Sequence, residues 1–170
     1  ADSDFGNTYG PDSWTLVTTG NQSSVTINDE GTELVIEGPL DEQFGPGGGV
    51  GFAKACQPAR ARLSVTFDWY YDLSTSWPNT GSFADPAFYI NDEVIHLSAT
   101  TLWGNQNQSG TKTIVVEQGD EFGWGVESYV VGGLGNAVLT ISNFTTEVLP
   151  SQDPCQDEQR IVTFTASDDC

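Results

Sequence analysis

Residues 63–71, Leu-Ser-Val-Thr-Phe-Asp-Trp-Tyr-Tyr, alternate apolar and polar side chains, the period-two mark of a strand with one face buried. Ala87–Leu97 carries the returning strands, with Asn91-Asp92 as the turn between them. Between these two stretches Asp72–Pro86 forms a long loop holding Trp77, Pro78, Asn79, Gly81 and Asp85. A rigid hairpin that carries an elaborate loop is where a β protein usually places its binding surface. The same alternation predicts strands over 14–18, 24–28, 32–37, 50–55, 111–117, 121–128 and 136–144. Asp29-Glu-Gly31 and Gln118-Gly-Asp120 read as hairpin turns, whereas Gly38–Gly51, with Pro39, Pro46 and three consecutive glycines, reads as a loop.

In 121–128 the apolar residues Phe122, Trp124 and Val126 share one face, and Gly123 and Gly125 lie opposite them. Glycine at alternate strand positions points to another backbone or ring approaching closely on that side. About ten short strands at regular spacing predict an all-β fold, a two-sheet antiparallel β-sandwich of jelly-roll-like form. The body is expected over 1–149. Residues 150–170 follow as a polar linker and an extra C-terminal strand, because Arg160–Ser167 alternates again after the proline-interrupted stretch 151–159.

Composition narrows the class further. Nineteen glycines, nine phenylalanines, five tryptophans and five tyrosines, with no methionine, suit short strands and tight turns, and no long Ala/Leu/Glu/Lys-rich window predicts a helix. The formal net charge is −19, from 24 acidic against five basic residues. Phosphate binding needs a basic patch, so nucleic acid is excluded as a partner. No run of apolar residues is long enough to span a membrane as a helix. The chain opens Ala1-Asp-Ser-Asp-Phe without an initiator methionine, as an exported protein would after signal cleavage, and the expected location is extracellular, at the cell surface.

A family resemblance joins several of these runs. Trp14-Thr-Leu, Val65-Thr-Phe-Asp-Trp-Tyr70, Asp85-Pro-Ala-Phe-Tyr89, Gln118-Gly-Asp-Glu-Phe-Gly123 and Leu139-Thr-Ile-Ser-Asn-Phe144 occur in this order. The pattern resembles the secreted β-sandwich domains of bacterial exosortase-sorted (PEP-CTERM type) surface and extracellular matrix proteins. That resemblance implies export, a surface or matrix location and a non-enzymatic role. The ending departs from it: where a Pro-Glu-Pro motif, an apolar helix and a basic tail would follow, only Val148-Leu-Pro150 is present.

The candidate chemistry is therefore structural or ligand-binding. The terminal alternation, with Ile161, Val162 and Phe164 as its apolar contacts, is either an edge strand on its own body or a donor strand that completes a neighbour's sheet. Cys56, Cys155 and Cys170 are disulfide candidates. Cys155–Cys170 would close a loop of about 15 residues, worth roughly 3 kcal/mol, while Cys56 paired with either would staple the tail to the body. Asp72, Asp85, Asn91 and Asp92 are oxygen donors around one loop and form a candidate Ca²⁺ site, without the contiguous Asp-x-Asp-x-Asp pattern of a dedicated calcium loop. Trp77 and Trp103 sit in or beside loops, where they can stack on sugar rings. Trp14, Trp69 and Trp124 fall in strand patterns and are assigned to the core. Asp68, Asp72, Asp85 and Glu93 are near enough in sequence to offer a glycosidase its two carboxyls, and nothing in the sequence sets their separation. His96, the sole histidine, lies within an alternating strand.

The leading expectation is a secreted structural subunit of an extracellular assembly, a filament, sheath or surface layer. It would polymerise by adding residues 160–167 to the next subunit, with disulfides securing the contact. The alternative is a carbohydrate-binding or adhesive module using the 72–86 loop.

Overall fold

The computed structural model describes residues 2–3, 5, 7–19, 23–38, 49–72, 83–97, 107–130 and 137–150. Eleven strands are present among them: β1 (Asp2–Ser3), β2 (Thr15–Thr18), β3 (Ser24–Ile27), β4 (Glu33–Glu37), β5 (Gly49–Pro58), β6 (Leu63–Asp72), β7 (Phe83–Ile90), β8 (Glu93–His96), β9 (Gln108–Val116), β10 (Glu121–Val130) and β11 (Val138–Val148). Two single turns of 3₁₀ helix, Asn7–Tyr9 and Pro11–Ser13, are the only helical pieces described.

The strands form two antiparallel sheets. One has the order β3-β4-β11-β6-β9, with β1 also pairing to β11, and the other has the order β2-β5-β10-β7-β8. The eight consecutive strands β4 to β11 fill the rows β4-β11-β6-β9 and β5-β10-β7-β8, the two interlocked Greek keys of a jelly roll. The expected β-sandwich is thus present, and its strand order, which periodicity cannot supply, is a jelly roll.

Alternation decides which face each strand buries. Along β6, Leu63, Val65, Phe67, Trp69 and Tyr71 are buried, and Ser64, Thr66, Asp68 and Tyr70 point outward between them. Leu34, Ile36, Leu139, Ile141 and Phe144 complete the inner face of the same sheet. From the opposing sheet come Ala53, Ala55, Phe88, Phe122, Trp124 and Val126. Trp14, Trp69 and Trp124 are all core residues, at 6%, 6% and 0% exposure. Trp124 is the hub: its ring centroid lies 5.3 Å from Trp14, 5.2 Å from Phe67, 5.6 Å from Phe88 and 5.3 Å from Phe144.

Gly123 and Gly125 let the strand bearing this hub lie tightly in its sheet. A Cβ at Gly123 would sit 1.9 Å from the carbonyl oxygen of Ala55 on β5. One at Gly125 would sit 2.9 Å from both the Tyr89 ring and the Lys54 stem. With that room, Lys54 lays its ammonium 4.0 Å from the Tyr89 ring centroid, a cation–π contact on the outer face.

Gly123→Ala should therefore destabilise the domain by about 3 kcal/mol or more, because backbone on β5 must move. Thermal unfolding should show a fall of roughly 6–12 °C relative to wild type. An unchanged melting temperature would show that β5 and β10 tolerate separation.

Candidate functional site

The residues predicted to act fall into three groups. Trp77, Trp103, Cys155, Cys170, Ile161, Val162 and Phe164 lie outside the described residues, as does most of the 72–86 loop. Cys56 is described and carries a free, buried thiol, while both of its candidate partners lie in the stretch outside the described residues. Burial, and behind it the charge of Glu121, pushes that thiol up to about 11 against the opposing pull of Lys54. At neutral pH it is protonated and a poor nucleophile.

The candidate calcium ligands are spread apart. Asp85 lies on β7 opposite Glu127, and Asn91-Asp92 turns the chain at the other end of that strand. Six residues of extended chain place these two points about 20 Å apart, so one cation cannot hold both. Asn91 serves the fold instead. Its amide donates to Asp120 Oδ1 (2.8 Å) and its Oδ1 accepts the Glu121 N–H (2.9 Å), tying the β7–β8 turn to the β9–β10 turn. Its φ of 52° is a left-handed conformation that asparagine adopts more readily than most residues. Asp72 belongs to the other sheet, at the end of β6 opposite Val138. Among the described residues no three His, Cys, Asp or Glu side chains cluster as metal ligands.

The same topology separates the four carboxylates that could serve glycoside hydrolysis. Asp68 and Asp72 stand on one face of β6 four residues apart, about 13 Å, beyond the spacing of a retaining or inverting pair. Asp85 and Glu93 are on the opposite sheet. His96 is exposed on β8, an edge strand among those described, and pairs with Ala87.

A polar constellation does form on the outer face of the β6 sheet. Across β11, β6 and β9 the register aligns Ser142, Asp68 and Thr111 in one row, and Thr140, Tyr70 and Ser109 in the next. Between Ser142 and Thr145, β11 bulges by one residue. The bulge puts Asn143 at φ 48° and turns its amide onto the neighbouring strand, where it donates to Asp68 Oδ2 at 2.7 Å. The Thr111 hydroxyl donates to the other carboxylate oxygen of Asp68. These two hydrogen bonds, Thr111 first and Asn143 second, hold the Asp68 carboxyl below its ordinary value.

Tyr70 stands two residues along β6, 42% exposed, and its phenolic oxygen accepts a 2.7 Å hydrogen bond from the Asn107 amide. Asp68, Tyr70, Ser109, Thr111 and Ser142 line a shallow groove of about 310 Å³ together with Trp69 and Gly110. The groove combines a fixed carboxylate, several hydroxyls and an exposed aromatic ring. Such a surface can hydrogen-bond a polyol and offer a flat apolar face beside it.

The position of Asp68 and Tyr70 on the solvent side is implied by the period-two pattern of 63–71. Their partners Asn143 and Thr111 come from strands more than 40 residues away and become visible only with the register. A serine-asparagine-phenylalanine run interrupting the alternation of 138–148 is the local signal of the bulge.

No family model matches the chain, and no curated protein matches it. Several solved structures are similar to it. One is a carbohydrate-binding module of the β-sandwich superfamily with promiscuous specificity: identity is 10%, the match covers 85% of this chain and 60% of that one, and the TM-score is 0.42. Another is the K1 cleaved adhesin domain of Lys-gingipain from Porphyromonas gingivalis W83, at 12% identity, 82% and 93% coverage and a TM-score of 0.40. A third is the enzymatically active domain of tailspike protein 4 from bacteriophage CBA120, at 15% identity and a TM-score of 0.36. There the match covers 81% of this chain, which spans 19% of the tailspike chain's length. These likenesses concern β-sandwich architecture alone, and function has to be argued from the site.

Removing the bulge contact should be visible at Asp68. In Asn143→Ala the carboxyl loses one stabilising donor, so its pKa should rise toward the ordinary value of 3.8. Because the folded-state value is depressed, the associated stabilisation is present above the unfolded pKa and is lost as pH falls through the folded one. Carboxyl-detected NMR titration of both proteins checks the direction; identical curves would show that Asn143 does not set the charge state.

Proposed function

We propose that this chain is an exported glycan-binding, adhesive β-sandwich module that holds carbohydrate on the outer face of its β6 sheet. The observation that carries the reading is the groove in which Tyr70 lies exposed beside Asp68, with that carboxylate clamped by Thr111 and Asn143. A solvent-facing tyrosine on an interior strand is a pre-ordered apolar platform, since its backbone is fixed on both sides by β9 and β11. Fixed acceptors next to it orient hydroxyl groups without further ordering cost, the general advantage of a preorganised site. The acidity of the chain accords with an extracellular setting. The 72–86 loop leaves β6 only two residues beyond Tyr70, so a ligand lying along β6 would run toward it.

Tyr70→Ala should leave the fold intact, because the ring lies on the outer face of the sheet and outside the core, and should weaken polysaccharide binding by on the order of tenfold or more. Affinity electrophoresis and calorimetry against a panel of soluble polysaccharides measure this. Equal retention of wild type and variant on every polysaccharide that binds would remove the groove as the site.

A second reading, the subunit of an extracellular assembly, is favoured by β9. Its nine residues pair with β6 in unbroken register and, among the described residues, have no neighbour on the other side. An edge of that length, without proline or bulge, is a template for an added strand. If residues 160–167 of another copy supply it, deleting 151–170 should abolish polymers seen by electron microscopy and leave glycan binding unchanged. Polymers that persist in the truncated protein would refute this.

A further inference from the structure

We infer that the groove selects uncharged glycans, reading neighbouring hydroxyls with the Asp68 carboxylate, and that the face around it turns acidic glycans away. This rests on the glycan-binding reading of the same groove. The outward positions of the β6 sheet carry five carboxylates: Glu33 and Glu37 on β4, Asp68 and Asp72 on β6, and Glu147 on β11. No described cation stands among Glu33, Glu37, Asp68 and Asp72, and none lines the groove. Lys112 pairs with Phe67 in the core-facing rows, and Lys54 belongs to the other sheet. Arg62 precedes β6 and gives its guanidinium to Glu117 (3.0 Å) and to the Pro150 carbonyl (3.2 Å). Arg60, in the β5–β6 connection, lines a separate pocket with Glu147, whose β6 partner Ser64 is four residues from Asp68.

A uronate or sulfate therefore meets like charge here and finds no described ammonium or guanidinium to pair with. Glu33 is two strands from Asp68, about 10 Å, comparable with the roughly 8 Å screening length at physiological ionic strength. The repulsion should thus be felt across the groove at low salt and fade as salt rises.

What remains attractive is hydrogen bonding. Each Asp68 oxygen already accepts one bond, from Thr111 or Asn143, and an ionised carboxylate offers about four acceptor sites in all. The free sites take O–H donors, and adjacent hydroxyls on one sugar ring supply two in register with the two oxygens. Ser109, Ser142 and Thr140 hydroxyls on the flanking strands donate or accept as the sugar requires.

The test is a glycan array carrying neutral, sialylated, sulfated, uronate-containing and amino-sugar glycans, read at low and high salt with wild type, Tyr70→Ala and Asp68→Asn. Binding is expected on neutral glycans, insensitive to salt and weakened on the order of tenfold or more in Tyr70→Ala. Asp68→Asn should weaken neutral binding by on the order of tenfold and narrow the margin against acidic glycans. Laminarin and its sulfated derivative, compared by calorimetry, isolate charge on one backbone. Acidic glycans bound as well as neutral ones at low salt, in a manner sensitive to Tyr70→Ala, would overturn the selectivity while leaving glycan binding in place. Binding confined to chitosan and abolished by salt would mark bulk attraction to a polyanion and overturn the selectivity. No binding on the array would remove both readings.

Discussion

Trp124 meets rings from both sheets and from the chain that enters them: Phe67 and Phe144 on one side, Phe88 and Phe122 on its own, and Phe5 and Trp14 from the N-terminal segment. Tilted and edge-on geometries dominate these contacts, each worth about 0.5–1.5 kcal/mol beyond the area it buries. A ring of that size fits between two sheets about 10 Å apart only if its neighbours are small or well placed. Ala53 and Ala55 on the adjacent strand supply the small side, and Gly123 lets β5 and β10 lie close enough for the ring to enter. Two indole N–H groups, those of Trp69 and Trp124, are buried with no hydrogen-bond partner among the described residues. Here packing of the rings outweighs satisfaction of their polar edges.

That inward commitment is what leaves the outer face of the β6 sheet free for chemistry. Once Leu63, Val65, Phe67, Trp69 and Tyr71 are directed inward, Asp68 and Tyr70 have to face water, held on both sides by paired strands. The bulge in β11 then adds what regular pleating cannot. An extra residue in a left-handed conformation swings the Asn143 amide across the ladder, and the carboxylate of Asp68 is held in a single orientation. The groove is thus built mainly from strands, which gives it more precision than a site carried only on loops.

Local chemistry was legible where one strand sufficed. The alternation of 63–71, the hairpin turn at Asn91-Asp92 and the glycines opposite Trp124 each announce their role within a few residues, and the structure agrees with all three. Spatial grouping was not legible. Asp85 and Asn91 are near in sequence, yet an extended strand holds them apart; Asp68 and Asn143 are 75 residues apart and share a hydrogen bond. Proximity in sequence favours neither outcome in a jelly roll, because Greek-key connections make most strand partners non-consecutive.

From sequence alone came the all-β class, the strands and their buried faces, the tryptophans of the core and the acidic character of the surface. These follow from period-two patterning and side-chain transfer preferences, which act residue by residue. Only the tertiary structure decided the strand order, the free state of Cys56, the separation of the proposed calcium ligands and the meeting of Asp68 with Thr111 and Asn143. Each of these depends on which strands become neighbours and in what register. That choice is made by the packing of the whole aromatic core rather than by any one segment's own pattern.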